Sequence, residues 1–164
     1  MRSFTVPLTL CRRSLAIVLL LGATAGAGRA KMLTIPATSF TGSWGSAAAD
    51  PDDPSIVLFF SGTTSLYAPF RIKSGAIVTG IALDSSSSDL FNSLQAVLYR
   101  CTAGGCTEEG RVQAGTGSGH FTSPALSLPI DNGHYTYVLQ VTVFIGMGHP
   151  AGVSTVGLKY TPAP

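Results

Sequence analysis

The sequence predicts an all-β protein: an antiparallel two-sheet β-sandwich, jelly-roll-like, with about eight strands. Three observations carry the prediction. Short apolar runs recur between turn signals, and several of them alternate with period two, which sends every second side chain to one face of a strand. The breaks "ADPDDPS", "RIKSGA", "DSSSSD", "GTGSG" and "GMGHPAG" are rich in Gly, Pro, Ser and Asp and fall at the spacing of a sandwich rather than of alternating βα units. Charged residues are sparse, at 11%, while glycine is plentiful, at 19 of 164 residues.

The first thirty residues, "MRSFTVPLTLCRRSLAIVLLLGATAGAGRA", are read apart from the fold. A basic opening with Arg2, Arg12 and Arg13 leads into an apolar core from Leu15 to Leu21 and then into small residues, the order of a signal peptide. The apolar run is far short of the ~20 residues that span a bilayer. Cleavage after Ala27 or Ala30 fits, and residues 31–164 then form a single β-sandwich domain with no membrane span. "CRRSLA" fits the twin-arginine consensus poorly, and Cys11 precedes the apolar core, which excludes a lipoprotein cysteine. The expected location is secreted or periplasmic. Removal of residues 1–30 takes four of the ten basic residues, so six face eight acidic ones and the formal charge of +2 becomes −2. The basic character belongs to the leader, and no Lys/Arg cluster is left to suggest a nucleic-acid partner.

Along the remaining chain, "IVLFF" at 56 to 60 is a continuous apolar run that suits a strand covered on both sides. "AIVTGIALD" places Ile77, Ile81 and Leu83 on one face. "SDLFNSLQAVLYR" has helical spacing at Leu90, Phe91, Leu94, Val97 and Leu98, with Asp89 as a candidate cap. It also reads as a strand in which Gln95, Val97 and Tyr99 alternate with Leu94, Ala96 and Leu98. A strand over its second half is expected, with a helical turn before it left open. "IDNGHY" carries Asp131, Asn132 and Gly133, residues that tolerate positive φ, and predicts a hairpin. In "HYTYVLQVTVF", Tyr135, Tyr137, Leu139, Val141 and Val143 share the inward face. In "VSTVGLKY", Val156, Leu158 and Tyr160 point inward and Thr155 and Lys159 outward.

Between "YAPFRIKSGAIVTGIALDSSSSDLFNSLQAVLYR", "GHYTYVLQVTVF" and "VSTVGLKYTP" the chain resembles a group of uncharacterised exported bacterial proteins. These carry an "APV-x-LP-x-GA-x-V/I-T" segment, an "L-x-R" strand, a "Y-x-Y" strand and a closing "G-V-x-I-x-Y" strand. Here Ile72-Lys73-Ser74 stands where the group has its Leu-Pro. The resemblance covers about residues 66 to 161 and implies an exported single-domain β-sandwich, with no catalytic residue to carry over.

The candidate sites are few. "GTGSGH" at 115 to 120 lacks the third glycine of a dinucleotide fingerprint and the first glycine of a nucleophile elbow around Ser118, so it reads as a loop. His120, His134 and His149 show no metal-ligand spacing. Asp131 and His134 flank one turn and His120 begins the strand before it, which would allow a surface acid–base pair there; solvated turn residues are the competing reading. Asp50, Asp52 and Asp53 sit in a Pro-rich loop without the Gly and distant Glu of a calcium hand, and read as solvated. Glu108 and Glu109, being adjacent in a strand, face opposite sides. No catalytic, metal or cofactor site is expected.

Cys101 and Cys106 are the two cysteines that survive leader removal. Two thiolates with no histidine nearby leave a zinc site half built, and C-x4-C is not the redox C-x-x-C. Residues opposed across an antiparallel pair have Cα atoms about 4.5–5.5 Å apart, within disulfide reach, so a disulfide at a hairpin tip is predicted. Trp44 and Tyr67 lie beside turn-like sequence and are candidate stacking platforms for a sugar; a tryptophan closing the open end of the sandwich is the competing reading. Two functional expectations follow. The first is an exported non-catalytic domain acting through an envelope partner or as a homo-oligomer, with outward Val138 and Phe144 in the contact. The second is a carbohydrate-binding module with a glycan partner.

Overall fold

The computed structural model describes residues 29–42, 47–87, 92–146 and 149–164. Residues 1–28 of the expected leader, Trp44 and the stretch that would hold a helical turn at 88–91 lie outside them. Two antiparallel sheets pack face to face, as the sequence predicts, and twelve strands are seen among the described residues: β1 (Lys31–Pro36), β2 (Thr41–Gly42), β3 (Ala47–Ala49), β4 (Val57–Phe59), β5 (Gly62–Pro69), β6 (Ile77–Ser87), β7 (Ser93–Thr102), β8 (Gly105–Ala114), β9 (Gly119–Thr122), β10 (Leu128–Pro129), β11 (Thr136–Ile145) and β12 (Ala151–Thr161). Five of the twelve are segments of two to four residues: β2, β3 and β10 end a sheet, β9 pairs with β6, and β4 lies between β12 and β3.

One sheet runs β10-β6-β12-β4-β3, with β1 also on β12 and β9 also on β6; the other runs β2-β5-β11-β7-β8. The chain passes repeatedly between them. A 3₁₀ turn at Ala37–Ser39, closed by the Phe40 N–H on the Ala37 carbonyl at 3.1 Å, carries it from β1 to β2 and buries Ala37 and Phe40.

The core lies where the inward parities meet. Strand β11 contributes Tyr137, Leu139, Val141, Val143 and Ile145, and β7 contributes Leu94, Ala96 and Leu98. Facing them, β12 contributes Val153, Val156 and Leu158. Val153 and Val156 are three apart and still both inward because a register shift between Val153 and Thr155 changes the parity of the strand.

Three expectations are corrected. Ile77 is 40% exposed while Val78 is fully buried. The cause is a second shift: Lys159 pairs with Gly80 but Tyr160 pairs with Val78, so Thr79 is an extra residue that reverses the faces before it. "IDNGHY" is not a hairpin, because β10 pairs with β6 in one sheet and β11 with β5 and β7 in the other. The turn instead carries the chain across the sandwich, and neither Asp131, Asn132 nor Gly133 adopts positive φ. It is held by the Tyr135 N–H on the Asp131 carbonyl at 3.1 Å and by the Asp131 N–H on the buried Tyr137 hydroxyl at 2.9 Å. Finally, "IVLFF" is covered on one side only: Val57 and Phe59 are in the core, whereas Leu58 is half-buried and Phe60 is 48% exposed, since no further layer among the described residues covers the outward face of that sheet.

The predicted disulfide is present. Cys101 and Cys106 are cross-strand partners at the β7–β8 tip, with Cα atoms 4.0 Å apart, and Gly105 at φ +134° occupies a backbone conformation that a side chain would strain. So small a loop gains about 2 kcal/mol from closure by the chain-entropy argument. Replacing both cysteines by serine should lower unfolding free energy by about that amount, whereas Leu139→Ala in the centre of the core should cost about 2–5 kcal/mol. Urea denaturation of the three proteins checks both values.

Candidate functional site: a tyrosine cleft on the five-stranded sheet

Strand parity builds the site. When β11 sends Tyr137, Leu139 and Val141 inward it must send Val138 and Gln140 outward, and its neighbours follow the register. Tyr67, Gln140, Val97 and Arg111 form one row across β5, β11, β7 and β8. Pro69, Val138, Tyr99 and Glu108 form the next, and Thr136, Cys101 and Cys106 the third. Tyr67, Tyr99, Val138, Gln140, Pro69 and the disulfide enclose a cleft of about 530 Å³ with nearly apolar walls. Tyr67 and Tyr99 stand diagonally on either side of the central strand, two strands and two residues apart, or roughly 12 Å from the strand spacing and rise. The Gln140 side chain donates to the Tyr67 hydroxyl at 3.3 Å, which holds one ring against the sheet.

The rim is polar and ordered. Glu108 receives Arg111 through two hydrogen bonds, Nε at 2.7 Å and a terminal nitrogen at 2.6 Å, and Arg111 also reaches the Gln95 side chain at 3.4 Å. These bonds keep the Glu108 carboxyl below its usual pKa. Beyond them Ser65 and Thr142 share a hydroxyl contact at 3.2 Å. The two adjacent glutamates part company at a bulge between Leu98 and Tyr99, and Glu109 binds Arg100 at 2.7 Å instead.

Of the residues singled out in the sequence, Tyr67 and the two cysteines come together in this cleft, and Trp44 lies outside the described residues. Val138, expected to serve an assembly surface, is part of its floor; Phe144, 47% exposed, sits farther along the same strand. Tyr99 was not singled out. Its outward parity with Gln95 and Val97 is legible in the sequence, but its closeness to Tyr67 depends on a strand order that no local pattern reveals.

The histidines are dispersed. Asp131 and His134 do meet, Nδ1 to carboxylate at 2.6 Å, and the Gly133 N–H adds a bond at 2.9 Å. His120 pairs with Asp84 at 2.6 Å rather than with Asp131, and the Thr155 hydroxyl donates to the other Asp84 oxygen. His149 offers its carbonyl to the Asn92 amide. Among the described residues no three His, Cys, Asp or Glu side chains gather as metal ligands. Asp50 and Asp53 accept bonds from Asp52 and Ser55 within their own loop. The "GTGSG" loop closes on β6, with the Gly117 N–H on the Ser87 carbonyl at 2.6 Å and the reverse bond at 3.2 Å.

No family model matches the sequence, and no curated protein does. Solved structures do match. A family 6 carbohydrate-binding module from Clostridium stercorarium, in complex with cellobiose, superposes with a TM-score of 0.51 at 11% identity, over 80% of this chain and 94% of that one. The two share a fold. A β-1,3-glucan-binding family 6 module from Bacillus halodurans gives 0.48 at 11% identity, over 81% and 96%. At such identity the likeness is one of architecture.

Partial burial of Asp84 opposes its charge, but the bonds from Thr155 and His120, with the histidine's charge, outweigh it and hold its carboxyl below the ordinary value. Asp131 is lowered in the same sense, chiefly by His134 and then by the Gly133 N–H. A depressed carboxyl stabilises the fold above its unfolded pKa of about 3.9 and loses that contribution as pH falls through the folded value. Melting temperature should therefore drop below about pH 4. The drop should be smaller in Asp84→Asn, which thermal melts from pH 7 to 2 would show.

Proposed function

We propose that this protein is an exported, non-catalytic binding domain that holds a carbohydrate chain across the outer face of its five-stranded sheet. One observation carries the reading: two tyrosines, Tyr67 and Tyr99, set diagonally across β11 in a cleft with an apolar floor and a side-chain amide on the Tyr67 hydroxyl. Sugar rings present flat C–H faces that pack on aromatic rings, and equatorial hydroxyls that need nearby donors and acceptors. The cleft supplies both, with Gln140 near the tyrosines and Gln95, Glu108 and Arg111 along the rim. The fold is one on which another module holds cellobiose, which supports the reading without assigning the ligand. A disulfide suits an oxidising destination outside the cytoplasm, in keeping with the expected leader.

Assembly through the same face is the second reading, and the specific observation in its favour is Phe144, 47% exposed beyond the cleft. The two readings separate experimentally. A glycan screen followed by calorimetry should find a ligand, and Tyr67→Ala and Tyr99→Ala should each weaken it by about tenfold or more. Tyr67→Phe, which keeps the ring, should cost far less. Failure of the whole screen, together with a gel-filtration volume that shifts with concentration and is reset by Phe144→Ser, would replace glycan binding with self-association.

A further inference from the structure

The cleft does not stop at the disulfide. Pro69 borders both the cleft and a hollow of about 390 Å³ at the end of the sandwich, lined by Phe70, Arg71, Asn132, Tyr135 and Tyr137. Cys101 borders both the cleft and an adjoining hollow under the β7–β8 tip, and Tyr135 and Thr136 line both end hollows. The cleft and the two end hollows thus adjoin one another through the residues they share. From Tyr67 to Arg71 is four residues, at most about 14 Å of chain, so a short oligosaccharide reaches both.

The end hollow differs from the cleft in charge. Several polar groups in and around it are already committed to partners, and others are free among the described residues. Arg100 lies 4.7 Å over the Tyr135 ring and is neutralised by Glu109 at 2.7 Å, so the ring is fixed and that cation is spent. The Asn132 amide nitrogen donates to the Ile72 carbonyl at 2.7 Å and to the Ser74 hydroxyl at 3.1 Å. This orients the side chain and leaves its oxygen without a partner among the described residues. The Asp131 carboxylate is taken by His134 and the Gly133 N–H. Arg71, exposed, makes no ion pair among the described residues, and Lys73 in the same loop makes none either.

From this we infer that the end hollow is a subsite for a sugar unit bearing a carboxylate, a uronic acid of the same glycan chain. The ring packs beside Tyr135 and Phe70, a hydroxyl donates to the Asn132 oxygen, and the carboxylate meets the Arg71 guanidinium, whose planar fork matches it with two charge-assisted bonds. The inference rests on the cleft being a glycan site and adds the acidic unit to it.

The test uses the protein expressed from its full-length sequence and purified after export. Calorimetry compares trimers of galacturonate, mannuronate and glucuronate with cellotriose and other neutral trimers. At least one oligouronide should bind about tenfold more tightly than its neutral counterpart. The ratio should fall to about one in Arg71→Gln, with part of it kept in Arg71→Lys. Equal binding of acidic and neutral trimers by the wild type, or an acidic preference that survives Arg71→Gln, overturns the acidic subsite while leaving the cleft reading standing. If no trimer of either kind binds, both fall together.

Discussion

Strand β11 pairs along most of its length on both edges, with β5 on one side and β7 on the other. Both surfaces of the five-stranded sheet are set by that one strand. Its odd-numbered residues from Tyr137 to Ile145 are buried to 3% exposure or less and fill the core between the sheets. Its even-numbered residues, locked by the same backbone bonds, lay down the outer floor on which Tyr67 and Tyr99 stand. Core and cleft are thus two sides of one ladder. A residue chosen for packing at Leu139 fixes where Gln140 points, and the site inherits the rigidity of the interior without loops having to supply it.

Polar groups are held in two different ways on the sheet face and at the end beside it. On the sheet face, polar groups sit in cross-strand register and satisfy one another sideways: Gln140 with Tyr67, Arg111 with Glu108 and Gln95, Ser65 with Thr142. At the end of the sandwich they are held by turns instead, with Asp131, Gly133 and His134 closing one loop and Asn132 stitching it to the segment at Ile72 and Ser74. Tyr137 belongs to both, since its ring is in the core and its hydroxyl receives the Asp131 N–H. A single tyrosine therefore ties the crossing turn to the same strand that carries the cleft.

What the sequence revealed, and what it hid, follows from the range of each signal. Alternation is local, so the faces of β11 and the shared face of Leu94, Ala96 and Leu98 could be read directly. The cysteine pair was legible because four intervening residues with two glycines admit little besides a tight turn. Ile77 was misread because one inserted residue, Thr79, reverses parity without leaving a mark in the alternation. Asp131-Asn132-Gly133 announced a change of direction but not its destination, since the same turn chemistry serves a hairpin and a passage between sheets. Tyr99 went unnoticed for a third reason. It is 32 residues from Tyr67, and the two meet only because β11, later in the chain than either, inserts between their strands.

The disulfide has a consequence beyond the energy of closing a small loop. In an antiparallel ribbon a slip of one residue turns every side chain of a strand to the opposite face. Strand β8 lies at one edge of its sheet and already holds one irregularity, at Glu109, so within that layer its alignment rests on β7 alone. A covalent bond between Cys101 and Cys106 pins residue to residue at the end nearest Tyr99. It acts as an index mark for that ribbon, recording which side of β7 is outside, so that Glu108 and Arg111 stay on the face that Tyr99 shares with Tyr67.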